Sequence, residues 1–234
     1  MSRIFRRDPQ PSPPATNAPV RRGAAASPVP GAAGARRTRV NCFTPGTEIA
    51  TPRGPTAIEA LRPGDMVVTR DNGPQEIRWA GQRAVSGPAL RLDHALRPVR
   101  IRAGALGAGV PERDLLVSPN HRVLLLGDHP TLEAAEAEVF VSAHHLDGTR
   151  GIASVDVTEV TYLHFMCDRH EVVLSNGAWT ESFRPSPTAL QGVSERSREE
   201  LLTIFPELAG EMRAGRIAPA RQTYNLPQFG NLRA

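Results

Sequence analysis

The sequence of 234 residues contains no lysine, so all 28 of its basic residues are arginine. Residues 1–41 hold eight arginines and one acidic residue, Asp8, which is a net charge of +7. The whole chain carries +4, so the remaining residues carry −3. Because a nucleic-acid-binding domain concentrates basic residues on its folded surface, this distribution argues against such a surface here. We expect no nucleic-acid partner.

Cysteines and long apolar runs are also scarce. Cys42 and Cys167 are the two cysteines, too few for a disulfide framework, although they could pair with each other. No CxxC motif or Cys/His spacing typical of zinc is present, so we expect no metal and no cofactor. No apolar run reaches the length of a membrane-spanning helix, and the N-terminus lacks the apolar core of a signal peptide. These absences predict no membrane partner and either a cytoplasmic location or export without a Sec signal.

Composition divides the chain into three parts. Residues 1–40 are rich in Arg, Pro and Ala and poor in large apolar side chains, which predicts a disordered segment because little surface can be buried. Residues 41–183 consist of short β-branched or alternating runs separated by Gly, Pro, Asn and Asp. This pattern predicts an all-β domain that begins with a hairpin of TEIA and TAIEAL.

Residues 184–234 predict a helical or irregular appendage. Leu201, Leu202, Phe205 and Leu208 follow near-helical spacing, with Ser194 or Ser197 as the N-cap. Because proline is excluded from helix interiors, Pro206 predicts a boundary between two short helices. The last residues, from IAPAR onward, have no regular pattern.

Cys42 stands at the head of the first predicted strand, directly after Asn41. A free cysteine is more often structural than catalytic, but a thiol is also a strong nucleophile. Attack on the carbonyl carbon of Asn41 would convert the Asn41–Cys42 peptide bond into a thioester. Because nucleophile and target are covalent neighbours, little entropy would be lost. Such an acyl shift also needs a proton donor for the departing amine and a stabiliser of the oxyanion.

Two further clusters offer those groups. SPNH, residues 118–121, places the Ser118 hydroxyl and the His121 imidazole on one tight turn, where ordinary turn chemistry is the competing interpretation. The segment from Tyr162 to Phe183 contains His164, Cys167, Asp168 and His170 within a short stretch. There, Asp168 could act as an acid or base or orient an imidazole, and polar residues at a hairpin turn are the alternative.

Together these three blocks resemble the Hint (Hedgehog/intein) family, most closely bacterial intein-like domains. CFTPGTEIATPRGPTAIEALRPGDMVV is similar to the family's first block, SPNHRVLL to its Thr/Ser-x-x-His block, and YLHFMCDRHEVVLSNGAW to a later block. The resemblance implies a flat, horseshoe-like all-β fold over residues 41–183. It also implies that Cys42 is the acyl-shift nucleophile, that Ser118 and His121 polarise the scissile bond, that His170 is the later-block histidine, and that Asp168 lies near an acidic position.

The sequence departs from splicing members of the family at the end of the last block. Those members finish with His-Asn before Cys, Ser or Thr, whereas this chain has Thr180-Glu181-Ser182 and continues for some 50 residues. The departure argues against full splicing and favours single-turnover cleavage after Asn41. In that reaction the chain's own N-terminal segment is the substrate, and water or a small nucleophile accepts the acyl group.

Two other functions stay open at this point. The domain could be a processing-inactive Hint scaffold that serves interaction or secretion through its appendage and Arg-rich tail. A conventional Cys-His hydrolase acting on other proteins is the third hypothesis, although its cysteine would be expected inside the fold rather than at its start.

Overall fold

The computed structural model describes residues 41–126, 138–214, 217–221 and 223–224, so the predicted disordered segment 1–40 lies outside the described residues. The described part contains fourteen strands, which are β1 Glu48–Thr51, β2 Gly54–Ala57, β3 Met66–Val68, β4 Pro74–Glu76, β5 Trp79–Ser86, β6 Val99–Ile101, β7 Leu115–Val117, β8 Arg122–Leu126, β9 Glu138–Ser142, β10 Ile152–Ser154, β11 Glu159–Met166, β12 Val172–Ser175, β13 Ala178–Glu181 and β14 Thr223–Tyr224. It also contains four α-helices, which are α1 Gly87–Leu92, α2 Pro187–Leu190, α3 Glu195–Ile204 and α4 Leu208–Arg213. The predicted all-β class with a small helical appendage is confirmed.

The largest sheet has seven strands in the order β14-β9-β8-β13-β12-β1-β2. The predicted first hairpin is present as β1 and β2, paired from Glu48 with Ala57 to Thr51 with Gly54, but its second strand begins earlier than predicted, and Ile58–Ala60 of the predicted TAIEAL strand form a 3-10 helix. Strands β12 and β13 are joined by Asn176 and Gly177, which have φ of 45° and 79°. An Asn-Gly pair with both φ values positive is typical of the tight hairpin turn that matches strand twist. This turn places β13, with Glu181 at its end, between β12 and β8.

The longest pairing, between β5 and β11, runs antiparallel from Trp79 with Met166 to Ser86 with Glu159. Gly81 lies opposite His164 in this pair. A Cβ atom on Gly81 would stand 2.4 Å from the Trp79 ring, so only glycine lets the indole lie across the strand there. The indole in turn stacks on the His164 ring, with centroids 5.5 Å apart.

Phe43 connects this pair to a second group of strands. It forms isolated bridges with Val117 of β7 on one side and Leu163 of β11 on the other. Its backbone N–H donates to the Leu163 carbonyl at 2.8 Å, and the Leu163 N–H donates back at 2.9 Å. The second residue beyond the predicted scissile bond is therefore fixed between two strands.

The buried apolar residues form two large clusters. One fills the space beneath β1, β6, β7, β8 and β9 and includes Phe43, Ile49 and Cys167. The other contains Cys42 and Trp79 together with Phe183, Leu190, Val193 and Leu201 from the chain beyond β13. The C-terminal appendage thus shares a core with the cysteine that heads the domain.

The appendage matches the predicted pattern in its first part. Ser194 caps α3 and accepts a hydrogen bond from the Ser197 N–H at 3.1 Å. Pro206 lies between α3 and α4, as expected for a residue that interrupts a helix. The final part is more regular than expected, because Thr223 and Tyr224 pair in parallel with Phe140 and Val141 of β9. Among the described residues, no helix has the length and hydrophobicity needed to cross a membrane.

Candidate active site

Cys42 is buried, with 1% of its surface exposed, at the contact between the β domain and the appendage. Its Sγ atom lies 3.1 Å from Nδ1 of His164. Burial raises the pKa of the Cys42 thiol well above its ordinary range, although the Ser118 hydrogen bond and the charge of Arg83 act in the opposite direction. The resting thiol is therefore protonated at neutral pH, and it needs a base before it can attack.

Ser118 holds the backbone of Cys42 from two sides. The Cys42 N–H donates to Ser118 Oγ at 2.9 Å, and the Ser118 N–H donates to the Cys42 carbonyl at 2.9 Å. The nitrogen in the first contact belongs to the Asn41–Cys42 peptide bond. A hydroxyl oxygen is thus in direct contact with the atom that would leave as an amine.

His121 packs beside the same segment. The His121 ring lies 4.3 Å from the Phe43 ring, centroid to centroid, and the backbone N–H of His121 donates to the Ser118 carbonyl at 3.0 Å. Burial lowers the pKa of His121 to about 4, so the ring is neutral at pH 7. Neither ring nitrogen has a hydrogen-bond partner within the part of the chain that the structure describes. A neutral imidazole retains one N–H, which is available for an oxyanion.

His164 comes from the middle of β11 and packs against the rings of Trp79 and Phe183, which also contact each other. Burial lowers the pKa of His164 to about 3, with the charge of Arg83 acting in the same direction. It is therefore a neutral base beside a neutral thiol. Sequence reasoning named His164 within its cluster but gave it no role in the chemistry.

His170 belongs to a buried network behind this site. Its Nε2 lies 3.1 Å from Oε2 of Glu181, whose side chain is fully buried. Glu181 also accepts from the Arg122 backbone N–H at 3.0 Å and from its Nη1 at 2.9 Å. Burial alone would raise the pKa of Glu181, but His170 and Arg122 together hold it below its ordinary value. Glu181 therefore acts as the anionic centre of the network, a role that the sequence did not reveal.

Asp168 lies apart from this group. Its side chain is 70% exposed and pairs with Nε of Arg78 at 3.3 Å. Together with His170 it lines a cavity of about 680 Å³ on the side of the domain reached by residues 217–221. The structure thus brings Cys42, Ser118 and His121 together and places His170 in the Glu181 network behind them, but it places Asp168 at the surface.

Both cysteines are free, and they belong to separate core clusters. Among the described residues, no three His, Cys, Asp or Glu side chains are grouped so that they could hold a metal ion.

An all-β fold headed by a buried cysteine, with a hydroxyl on its backbone nitrogen and an imidazole on its sulfur, is typical of the class of autoprocessing or splicing-related domains. A family model described as the Hint domain matches residues 41–187. Because this match spans more than half of the chain, the protein belongs to the Hint-domain family. The match ends four residues beyond the boundary predicted at residue 183.

Solved structures of intein-related domains are similar to part of the chain. A bacterial intein-like domain from Clostridium thermocellum is 16% identical, with 61% of this chain and 99% of that chain covered and a TM-score of 0.41. The MchDnaB-1 intein is 13% identical, with 60% and 98% covered and a TM-score of 0.38. A search of curated proteins gave no match.

Proposed function

We propose that this protein processes itself by an N-to-S acyl shift at Cys42, which leads to cleavage after Asn41. The observation that carries the proposal is the pair of contacts at Cys42. Its peptide nitrogen is hydrogen-bonded to Ser118 Oγ at 2.9 Å, and its Sγ atom lies 3.1 Å from Nδ1 of His164. One residue thus presents both the attacking atom and the leaving atom to side chains suited to move protons.

The first step joins sulfur to carbon. His164 Nδ1 accepts the thiol proton as Sγ of Cys42 bonds to the carbonyl carbon of Asn41. The negative charge that develops on the carbonyl oxygen is stabilised by the N–H of neutral His121, whose ring nitrogens have no other partner in the described chain. Geometry that excludes water strengthens such a hydrogen bond, because the local dielectric constant is low.

The second step breaks the carbon–nitrogen bond. The Cys42 nitrogen gains one proton and leaves as a primary amine, while Asn41 remains attached to sulfur as a thioester. Ser118 Oγ contacts this nitrogen, and in this proposal it passes on the proton that His164 removed from the thiol. Attack by water or another nucleophile on the thioester then releases the segment that ends at Asn41 and restores the thiol.

Asn41 itself is held for this reaction. Its side-chain Nδ2 donates to the Ser182 carbonyl at 3.0 Å, so the acyl residue is tied to the end of β13. Holding the acyl group and the nucleophile in place lowers the free-energy barrier of the reaction, by on the order of 7–11 kcal/mol in the best cases. The bond to Ser182 explains why an asparagine side chain suits this position.

Intact-mass spectrometry of the purified full chain tests the proposal. We expect a fragment that begins at Cys42, formed faster with dithiothreitol or hydroxylamine, and no such fragment from Cys42→Ala. Cys167→Ala is the matched control, because Cys167 is a second buried cysteine in the other core cluster. Equal cleavage, or equal absence of cleavage, in wild type and Cys42→Ala would refute the acyl shift.

One observation favours the processing-inactive scaffold as a second candidate. The Cys42 thiol is 1% exposed, and the appendage covers it with Leu190, Val193 and Leu201. If the buried thiol keeps its proton, no thioester forms. In that case the wild-type chain would stay whole in hydroxylamine while its Cys42 thiol stayed unreactive toward small reagents.

A further inference from the structure

A cavity of about 340 Å³ opens beside the predicted scissile bond, and we call it the Asn41 cavity. Its lining includes Asn41, Asn120, Arg122, His144, Arg184 and Ser186. Its volume is near the lower end of the range for small-molecule sites in proteins, which begins at about 300 Å³. The cavity is therefore large enough for a small polar ligand.

The lining is basic and contains no carboxylate among the residues that the structure describes. Arg122 is paired with Glu181 behind the wall, but its Nε is buried without a hydrogen-bond partner in the described chain. Arg184 is half-buried and makes no hydrogen bond or ion pair with any described residue. Burial and the nearby Arg122 charge lower the pKa of Arg184. An anion in the cavity would relieve both the desolvation and the repulsion of these two guanidinium groups.

The other side of the same peptide bond is closed. There, Cys42 borders a cavity of about 20 Å³ with Arg83, Tyr162 and Gly192. Arg83 Nη1 donates to the Gly192 carbonyl at 2.8 Å, and this hydrogen bond joins the appendage to β5 beside Cys42. A space of this size holds about one water molecule. Of these two cavities, which share Asn120 in their walls, the Asn41 cavity is therefore the one with room for a nucleophile larger than water.

We propose that the Asn41 cavity binds the acyl acceptor, and that this acceptor is a free amino acid, whose carboxylate pairs with Arg184 and Arg122. Guanidinium groups recognise carboxylates with paired hydrogen bonds, and the two arginines are the cationic groups of the lining that lack a complete set of partners in the described chain. The inference rests on the proposed thioester and adds the identity of the group that resolves it.

The resolving step is aminolysis. The neutral amine of the amino acid attacks the carbonyl carbon of Asn41, a carbon–nitrogen bond forms, and the carbon–sulfur bond to Cys42 breaks. The amine loses one proton, and the departing sulfur gains one as the Cys42 thiol re-forms. The products are the upstream segment extended by one amino acid and a domain that begins with Cys42.

The test compares glycine with glycinamide as acceptors for the full chain, with hydroxylamine as an uncharged nucleophile that reports the thioester itself. Intact mass identifies each adduct of the released segment. In wild type we expect the glycine adduct to form, and we expect the ratio of glycine to glycinamide adduct to fall about tenfold in Arg184→Gln. Comparing ratios between the two proteins cancels the different basicity of the two amines. Arg150→Gln removes an exposed arginine outside the cavity and should keep the wild-type ratio.

Cleavage by hydroxylamine distinguishes failure of the amino-acid acceptor from failure of the acyl shift. If it cleaves Arg184→Gln as fast as wild type, the variant is folded and active, and a lost glycine preference then belongs to the cavity. An unchanged ratio in Arg184→Gln, or cleavage by hydroxylamine without any glycine adduct, would overturn the amino-acid acceptor while leaving the acyl shift intact. No cleavage by hydroxylamine above the Cys42→Ala level would overturn both.

Discussion

His164 shows how a residue can be visible in the sequence while its role is not. Cys42, Ser118 and His121 stood out because each belongs to a compact motif. His164 lies within an apolar run of β11, where a histidine is usually a structural group. Its contact with Cys42 arises from the antiparallel bridge between Phe43 and Leu163, which places the residue before Phe43 beside the residue after Leu163. That register depends on the folded sheet, so local sequence does not predict it.

The first prediction concerns His164 as the base for the thiol. His164→Asn keeps a polar side chain of smaller size and removes the base, so we expect cleavage after Asn41 to slow by about 10²–10⁴-fold. Single-turnover cleavage monitored by intact mass gives the rate. His94→Asn, at a position outside the site, should cleave at the wild-type rate. A wild-type rate in folded His164→Asn would remove His164 from the mechanism.

The second prediction concerns the pH dependence of stability. His121 and His164 have pKa values of about 4 and about 3 in the folded protein, whereas the ordinary value is 6.5. Because the folded values are the lower ones, protons bind preferentially to the unfolded chain. The free energy of unfolding is therefore unaffected by these two groups above about pH 6.5. It falls as the pH drops toward 4 for His121 and toward 3 for His164, by up to about 1.4 kcal/mol per pH unit for each group.

Urea unfolding between pH 7.5 and 4.5 measures this loss. His164→Asn should lose stability less steeply than wild type over that range, since one buried titrating group has been removed. His94→Asn is the control and should keep the wild-type slope. Equal slopes in His164→Asn and wild type would contradict a neutral, buried His164.

At the level of strands and helices, the first hairpin and helix α3 were predictable from turn residues and periodicity, whereas the pairing of β5 with β11 joins distant segments and was not. Helix α1 was not, because GPALRL is short and its start relies on Pro88 at an early helical position. The role of Glu181 was also hidden. Glu181 comes after Thr180 in a short strand, and the sequence alone does not distinguish an outward-facing glutamate from a buried one. Only the folded sheet brings Arg122 of the neighbouring strand to Glu181.

The third prediction therefore concerns the Glu181 network. Glu181→Gln leaves the half-buried Arg122 and the buried His170 without their anion, so we expect a loss of about 3–5 kcal/mol in the free energy of unfolding. Chemical denaturation at pH 7 checks it. Glu76→Gln breaks an exposed pair with Arg78, whose two side chains are 46% and 41% accessible, and should cost less than about 1 kcal/mol. Similar losses in the two variants would show that Glu181 has no special structural role.

For the whole molecule, composition was enough to predict an all-β domain with a helical appendage after it. The order of the seven-stranded sheet and the return of residues 223–224 to β9 were not predictable, because both depend on pairings between distant segments. The sequence also carried no sign that the appendage shares a core with Cys42. That arrangement rests on apolar side chains of α2 and α3, which could have packed on any apolar surface of the domain.

The C-terminal residues contribute further ties across the domain. The Ala220 N–H donates to His170 Nδ1 at 2.9 Å, and the Arg221 guanidinium bridges Asp71 and Glu138. His170 is thereby bonded at both nitrogens, to Glu181 on one side and to the C-terminal segment on the other. The appendage is a structural part of the domain in the described chain rather than a separate module.

The fourth prediction measures the cover over Cys42. Leu201 is fully buried in the cluster that contains Cys42, so Leu201→Ala should weaken the seating of α3 by about 2–5 kcal/mol. A decrease of about 1.4 kcal/mol in the free energy of opening raises the population of the open form about tenfold. We therefore expect Cys42 to react at least about tenfold faster with a thiol reagent.

A Cys167→Ala background restricts that reaction to one thiol. Ile204→Ala, at a position of α3 that is 49% exposed, is the matched control and should leave the rate unchanged. A rate that stays the same in Leu201→Ala would show that the appendage does not limit access to Cys42.

The two backbone bridges of Phe43 also govern the state of the chain after cleavage. Once the Asn41–Cys42 bond is broken, Phe43 still pairs with Leu163 and Val117, so the new chain terminus stays where it was made. While the segment is still held as a thioester, the freed amine stays near the acyl carbon, so the reverse S-to-N shift competes with attack by the acceptor. The reaction would therefore change the circular dichroism spectrum and the melting temperature little, and the step that makes it irreversible would be attack on the thioester rather than any rearrangement of the fold.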